Sequence, residues 1–203
     1  MTENVQPMPM NVQPVLLEGE YVRLEPLAPE HAQGLFNRGQ QVEDWAYMPR
    51  GSFVDLADCK HWIAEAQAAT DQLPFAIVET DKDRAVGSSR FLAIRPEHKG
   101  LEIGWTWLGR DWQRTVVNTE AKLLLLQHAF DTLGAIRVEF KTDARNERSQ
   151  NALARIGAIK EGVFRNHMIV QHGYLRDSVY FSITQDDWSA VRRGLLARLG
   201  RSG

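Results

Sequence analysis

Cysteine is almost missing from this chain: Cys59 is the only one among 203 residues. A single thiol builds neither an intramolecular disulfide framework nor a cysteine-rich zinc site, and it fits a reducing compartment. Most free cysteines behave as small apolar residues, and Cys59 reads as one on a helix. Long apolar runs are missing too; none approaches the roughly 18 residues of a membrane span. The opening MTENVQPMPMNVQP lacks both the basic start and the apolar centre of a signal peptide, so a cytoplasmic location is expected. Neither sign of charge is in excess, and a net charge of −2 argues against a general nucleic-acid binder. His31, His61, His98, His128, His167 and His172 are scattered without a close pair at ligand spacing, so no metal site is expected.

What is present is ordinary globular material, 43% hydrophobic and 25% charged, in a chain long enough for one well-buried domain. The polar, proline-containing residues 1–14 read as a flexible tail, 15–186 as the domain, and 187–203 as a terminal helix and tail. Val15–Leu17 and Tyr21–Leu24 suggest a short hairpin, and Pro29 opens a first helix. The aromatic, proline-broken stretch Glu43–Gly51 reads as a loop of the kind that lines clefts. Asp55 caps a second helix, and strands follow at 75–78 and 85–94, with Gly87 at a bulge. Ile136–Phe140 alternates as a strand, Asn146 caps the next helix and Gly157 stops it. Two further strands, 162–168 and 175–183, precede a terminal helix from Asp187. Its Arg192, Arg193, Arg198 and Arg201 read as a solvated basic face.

The stretch from Leu101 to Ala129 organises the rest. Leu101, Ile103, Trp105 and Trp107 alternate with Glu102, Gly104 and Thr106 in the period of a strand. Asn118 and Thr119 are capping residue types, Glu120 suits a helix start, and the apolar run beyond it has helical length. A strand-to-helix turn of this kind exposes unpaired N–H groups at the positive end of a helix, either an anion site or a plain connector.

Gln113-Arg114-Thr115-Val116-Val117-Asn118, followed by Thr119-Glu120-Ala121, resembles the acyl-CoA pyrophosphate loop of the GNAT superfamily of N-acyltransferases. Val116 stands where that family has its first glycine and Asn118 where it has glycine or alanine. Three later runs are similar to the RimJ/RimL-like branch, which acylates protein N-termini and, in other members, small amines. They are Asn146-x-x-Ser149 with Ala152–Ala158, Glu161–Arg165, and Gly173–Tyr180. The likeness implies an α/β fold of mixed α+β type, a twisted mixed sheet of about six to seven strands with helices on both faces. It implies acetyl-CoA as co-substrate, with its phosphates on N–H groups from Arg114 to Thr119 beside Gln113. Pantetheine would lie along the strand edge near Trp107 and Leu108 and touch Asn146.

Acyl transfer to an amine requires a proton acceptor, a polarised thioester carbonyl and a proton for the departing thiolate. By the same resemblance Glu102 is the expected base, although an ion-paired strand glutamate would look the same. Asp111 is a second acidic candidate or a turn residue. Ser149 is expected near the sulfur as a proton or hydrogen-bond donor, or it serves only the first helical turn. Tyr180 is an alternative donor or a packing residue. On the acceptor side stand Trp45, Tyr47, His167 and the 171–174 hinge. The partners expected are acyl-CoA, a protein N-terminal or small-molecule amine, and a second copy in a homodimer, with no nucleic acid and no membrane. Two other readings remain open: a non-catalytic GNAT-fold binding protein, and an acyltransferase using a larger donor such as succinyl-CoA.

Overall fold

The structure is a computed structural model that describes residues 8–201. Residues 1–7 of the expected flexible tail lie outside the described residues. The part that follows is held down: Met10 is only 5% exposed, and its N–H donates to the Pro96 carbonyl at 3.2 Å. The chain then forms β1 (Leu17–Glu18), β2 (Val22–Pro26), α1 (Ala32–Arg38), α2 (Leu56–Ala68), β3 (Leu73–Glu79) and β4 (Arg84–Arg95). β5 (Gly100–Leu108), α3 (Val116–Gln127), β6 (Arg137–Asp143), α4 (Glu147–Arg155), β7 (Ile159–Ile169), β8 (Leu175–Thr184) and α5 (Gln185–Arg198) complete it. The strands lie in one mixed sheet in the order β1-β2-β3-β4-β5-β6-β8-β7, and only β5 and β6 run parallel. Eight strands replace the six to seven expected, because the N-terminal hairpin extends the sheet by the two-residue β1.

Period-2 alternation divides the side chains between two cores. One face packs Phe75, Phe91, Leu101, Ile103, Phe140 and Val179 against α3, α5 and Leu153 of α4. The other packs Ala76, Val78 and Trp107 against α1 and α2. No residue of this second core comes from β6, β7 or β8, so the α1/α2 face of those strands is left without a helical cover.

Two local expectations need correction. Asn118 and Thr119 do not cap α3; Thr115 does, its Oγ accepting the Val117 N–H at 3.3 Å, and the helix begins three residues earlier than its sequence signals. Nor does the alternation of β5 run unbroken. Ser88 pairs with Trp107 but Arg90 with Gly104, so Trp105 and Thr106 together face Ser89 in a β-bulge. Trp105 has φ 51°, a left-handed conformation costly for a bulky residue. The extra residue turns Trp107 towards α1 and α2 while Leu108 rejoins the face of Ile103.

The displaced helix start gives Glu120 a different task. It is fully buried, and its carboxylate accepts the N–H groups of Glu20, Tyr21 and Val22 at 3.0, 2.6 and 2.8 Å. Arg201, from the end of the chain, closes the charge at 2.5 Å. A Cβ on Gly19 would stand 2.6 Å from this carboxylate, so the hairpin comes this close only with glycine there. Removing Glu120 strands three N–H donors, so Glu120→Ala is expected to cost about 3 kcal/mol. For a domain of this size that lowers Tm by roughly 6–12 °C, measurable by calorimetry.

Candidate active site

β5 and β6 are paired only at Gly100–Arg137, Leu101–Val138 and Glu102–Glu139. Beyond these positions β5 runs on to Leu108 and β6 to Asp143 without partnering each other. A bulge bends its strand and increases local twist, and the Trp105–Thr106 bulge lies three residues beyond the last β5–β6 pair. It is pinned from the α3 side. Lys122 Nζ donates to Thr106 Oγ1 at 2.7 Å, and Thr106 Oγ1 lies 2.7 Å from Ser89 Oγ. Burial without a carboxylate partner pushes the Lys122 ammonium down to about 7. The β5 edge facing the gap therefore offers unpaired main chain, as an added extended ligand requires.

Glu102 occupies the last paired position. It points to the α1/α2 face, opposite Leu101 and Ile103, and is 2% exposed. Lys141 Nζ donates to its Oε2 at 3.0 Å. Burial raises its carboxyl above the usual glutamate range, with the Lys141 ammonium pulling the other way. A Cβ on Gly104 would come within 2.8 Å of Oε1, so glycine at that position leaves the carboxylate its room. On the same face stand Tyr180, opposite Lys141, and Ser178, opposite Asp143. His167 Nδ1 lies 3.0 Å from Ser178 Oγ, and its Nε2 lies 3.4 Å from the Tyr180 hydroxyl. Burial, with Lys141 and Arg176 near, lowers the His167 pKa, and burial raises that of Tyr180 against the opposing pull of the same two cations. The sequence flagged Glu102, Tyr180 and His167 separately; the uncovered sheet face brings them together with Lys141 and Arg176, which it did not flag.

At the far end of the gap lies a cleft of about 620 Å³ lined by Tyr47, Arg110, Gln113, Arg114, Arg145, Asn146 and Arg148, among others. Gln113 joins its walls: Nε2 donates to the Leu108 carbonyl at 2.9 Å, and Oε1 accepts from Arg148 at 3.0 Å. The left-handed residue of the loop is Arg114, at φ 60°. Val116 is an ordinary first-turn helical residue, 37% exposed. Thr115 Oγ1 donates to the Trp112 carbonyl, Val117 packs into the core, and Asn118 and Thr119 are half-buried in the first turn. Asn146 caps α4 by accepting the Ser149 N–H at 3.0 Å, which leaves the half-buried Ser149 hydroxyl in the first turn beside the cleft. Asp111 is exposed in the turn before Gln113.

A strap crosses the mouth. Gln171 Nε2 lies 2.7–2.9 Å from the carbonyls of Trp45, Met48 and Arg50. Beside it the Arg145 guanidinium lies 3.5 Å from the Tyr174 ring centroid and 5.6 Å from that of Tyr47. Tyr47 thus faces the cleft. Trp45 does not: it is 1% exposed among Phe53 and Trp107, with its indole N–H on the Gly39 carbonyl, and has no surface for a substrate. Aromatic composition could not separate the lining residue from the core one. Among the described residues no three His, Cys, Asp or Glu side chains are grouped to hold a metal ion, and no helix is long and apolar enough to cross a membrane.

Residues 22–159 match the family described as acetyltransferase (GNAT) domain. The chain is 24% identical to the uncharacterized N-acetyltransferase YnaD of Bacillus subtilis, over 70% of this chain and 81% of that one. It is 26% identical to the ribosomal protein uS5-alanine N-acetyltransferase of Escherichia coli, over 58% of this chain and 60% of that enzyme. Among solved structures, a GCN5-related N-acetyltransferase from Brucella melitensis superposes with a TM-score of 0.90 at 30% identity, covering 94% of this chain and 88% of that one.

Cutting the strap is a direct test of its role. Gln171→Ala removes the amide that serves three carbonyls, and hydrogen exchange across residues 45–51 is expected to rise at least severalfold while the sheet stays protected.

Proposed function

Since the chain belongs to the GNAT acetyltransferase family and is an acyl-CoA-dependent acetyltransferase, we propose that it passes the acetyl group of acetyl-CoA directly to a primary amine within a ternary complex. The observation that carries this reading is the buried Glu102 carboxylate at the point where β5 leaves β6. GNAT acetyltransferases use acetyl-CoA as co-substrate, and three features here suit it. The free N–H groups of the first turn of α3, with Arg114, answer the pyrophosphate. The β5 edge that β6 leaves unpaired beyond Glu102, running up to Trp107, answers the pantetheine amides, while the Leu108 carbonyl is already taken by Gln113 Nε2. Arg110, Arg114, Arg145 and Arg148 line the cleft against the carboxylates of Glu43, Asp44 and Glu147, which leaves it one positive charge in excess. The left-handed conformation falls on Arg114, and Val116 takes ordinary helical backbone, which supports the catalytic reading over a non-catalytic one.

The amine nitrogen attacks the thioester carbonyl, an N–C bond forms and the C–S bond breaks. The amine proton goes to Glu102, and the thiolate is protonated by Ser149 or Tyr180. A glutamate raised by burial is a stronger base than a solvated one, and the Lys141 ammonium beside it favours the ionised form. The base works ionised, so activity should fall as pH drops through a value above the ordinary glutamate range. Glu102→Gln is expected to lower kcat by about 10²–10⁴ and to flatten that acid limb, with the Kd for acetyl-CoA nearly unchanged by calorimetry. A persisting acid limb in the variant would remove Glu102 from the role.

A homodimer is supported by the edge strand β7, where Ile159, Val163, Phe164 and Ile169 are 46–73% exposed. A second copy across this edge would cover them. Sedimentation equilibrium should find a dimer that Phe164→Glu dissociates; a wild-type monomer at high micromolar concentration would reject it.

A further inference from the structure

Among the described residues, the strands left without helical cover hold one buried cation that no acceptor pairs directly. Arg176, on β8, is 5% exposed, yet its guanidinium makes no hydrogen bond or ion pair among the described residues. Its Nε is wholly buried without an acceptor. The charges that act on it are those of Asp143, Glu102 and Arg145, beside the Tyr180 phenol. Both carboxylates are already engaged. Asp143 accepts from Arg145 through Oδ1 and Oδ2 at 3.0 and 2.9 Å, and Glu102 accepts from Lys141 at 3.0 Å. Three cations therefore share two anions, and the one left unpaired is the most deeply buried of the three.

Burying a guanidinium without a partner is costly, and its planar fork is suited to the two oxygens of a carboxylate. Arg176 follows the alternation of Ser178 and Tyr180, so it lies on the face to which Glu102 points. Arg176 and Glu102 thus border the same uncovered face, where one acceptor can address both. We propose that Arg176 receives a carboxylate carried by the acceptor, so that the substrate class is amines bearing a free carboxylate, such as amino acids and short peptides. This deepens the amine-transfer reading above and rests on it. The amino group would face Glu102 while the carboxylate completes Arg176. An acceptor without that carboxylate would leave the guanidinium desolvated and unanswered, which is where discrimination arises.

The test uses amino acids and dipeptides, each as free acid and as C-terminal amide, with acetyl-CoA as donor. The wild-type protein is expected to favour free acids at least tenfold in kcat/KM. Arg176→Gln should erase that preference chiefly by raising KM for the acids, and Arg176→Lys should retain part of it; turnover of the amides reports that both variants are folded. An equal loss on acids and amides would overturn the proposal, since Arg176 would then serve the donor or the reacting carbonyl. Turnover confined to amines without a carboxylate, such as polyamines, would overturn it and leave amine transfer standing. Absence of turnover on every amine would overturn both.

Discussion

The middle strands of this sheet can stay hydrogen-bonded for only three residue pairs, and the working parts of the molecule follow from their separation. β5 is bent by an extra residue opposite Ser89, and a lysine from α3 holds the bulge through Thr106. Parallel pairing with β6 then cannot continue, because the carbonyls and amides of β5 no longer meet those of β6. The cost is a left-handed tryptophan, a buried lysine and a run of unpaired main chain. Such costs are sustained where they create a place for a ligand.

The gap also divides the electrostatics. On the α3 side the polar groups are locked into structural duties: Lys122 serves the bulge and Glu120 collects three hairpin amides. On the opposite side helices cover only the first half of the sheet, and the polar residues of β6, β7 and β8 border a reaction space. There burial raises the Glu102 carboxyl and the Tyr180 phenol and lowers the His167 imidazole, each a shift that disfavours the charged form. The strap of Gln171 against the 45–50 carbonyls joins the two halves of the sheet where their own hydrogen bonds cannot.

Family membership is shown by the match over residues 22–159. The mixed sheet with helices on both faces was also legible, since alternation, capping types and loop motifs are local properties of the chain. Errors arose where a distant contact outvoted a local preference. Thr115 caps α3 because Trp112, Val117 and Ala121 must enter the core, and this moves Glu120 inward to the hairpin. Trp45 and Tyr47 are equivalent by composition, and only the packing of Phe53 and Trp107 sends one inside and the other to the cleft.

By itself the sequence determined which segments alternate as strands, where helices begin to within a turn, and that a loop with N–H donors precedes a helix rich in leucine. Those depend on neighbours a few positions away. Only the tertiary structure decided which glutamate becomes a buried base, which becomes a backbone cap, and which arginine stays unpaired. Glu102 and Glu120 are both strongly buried, and Arg145 and Arg176 stand within the same charged cluster. What separates them is which strand or hairpin lies opposite, and the free energy of a buried charge depends on partners that the linear chain places far away.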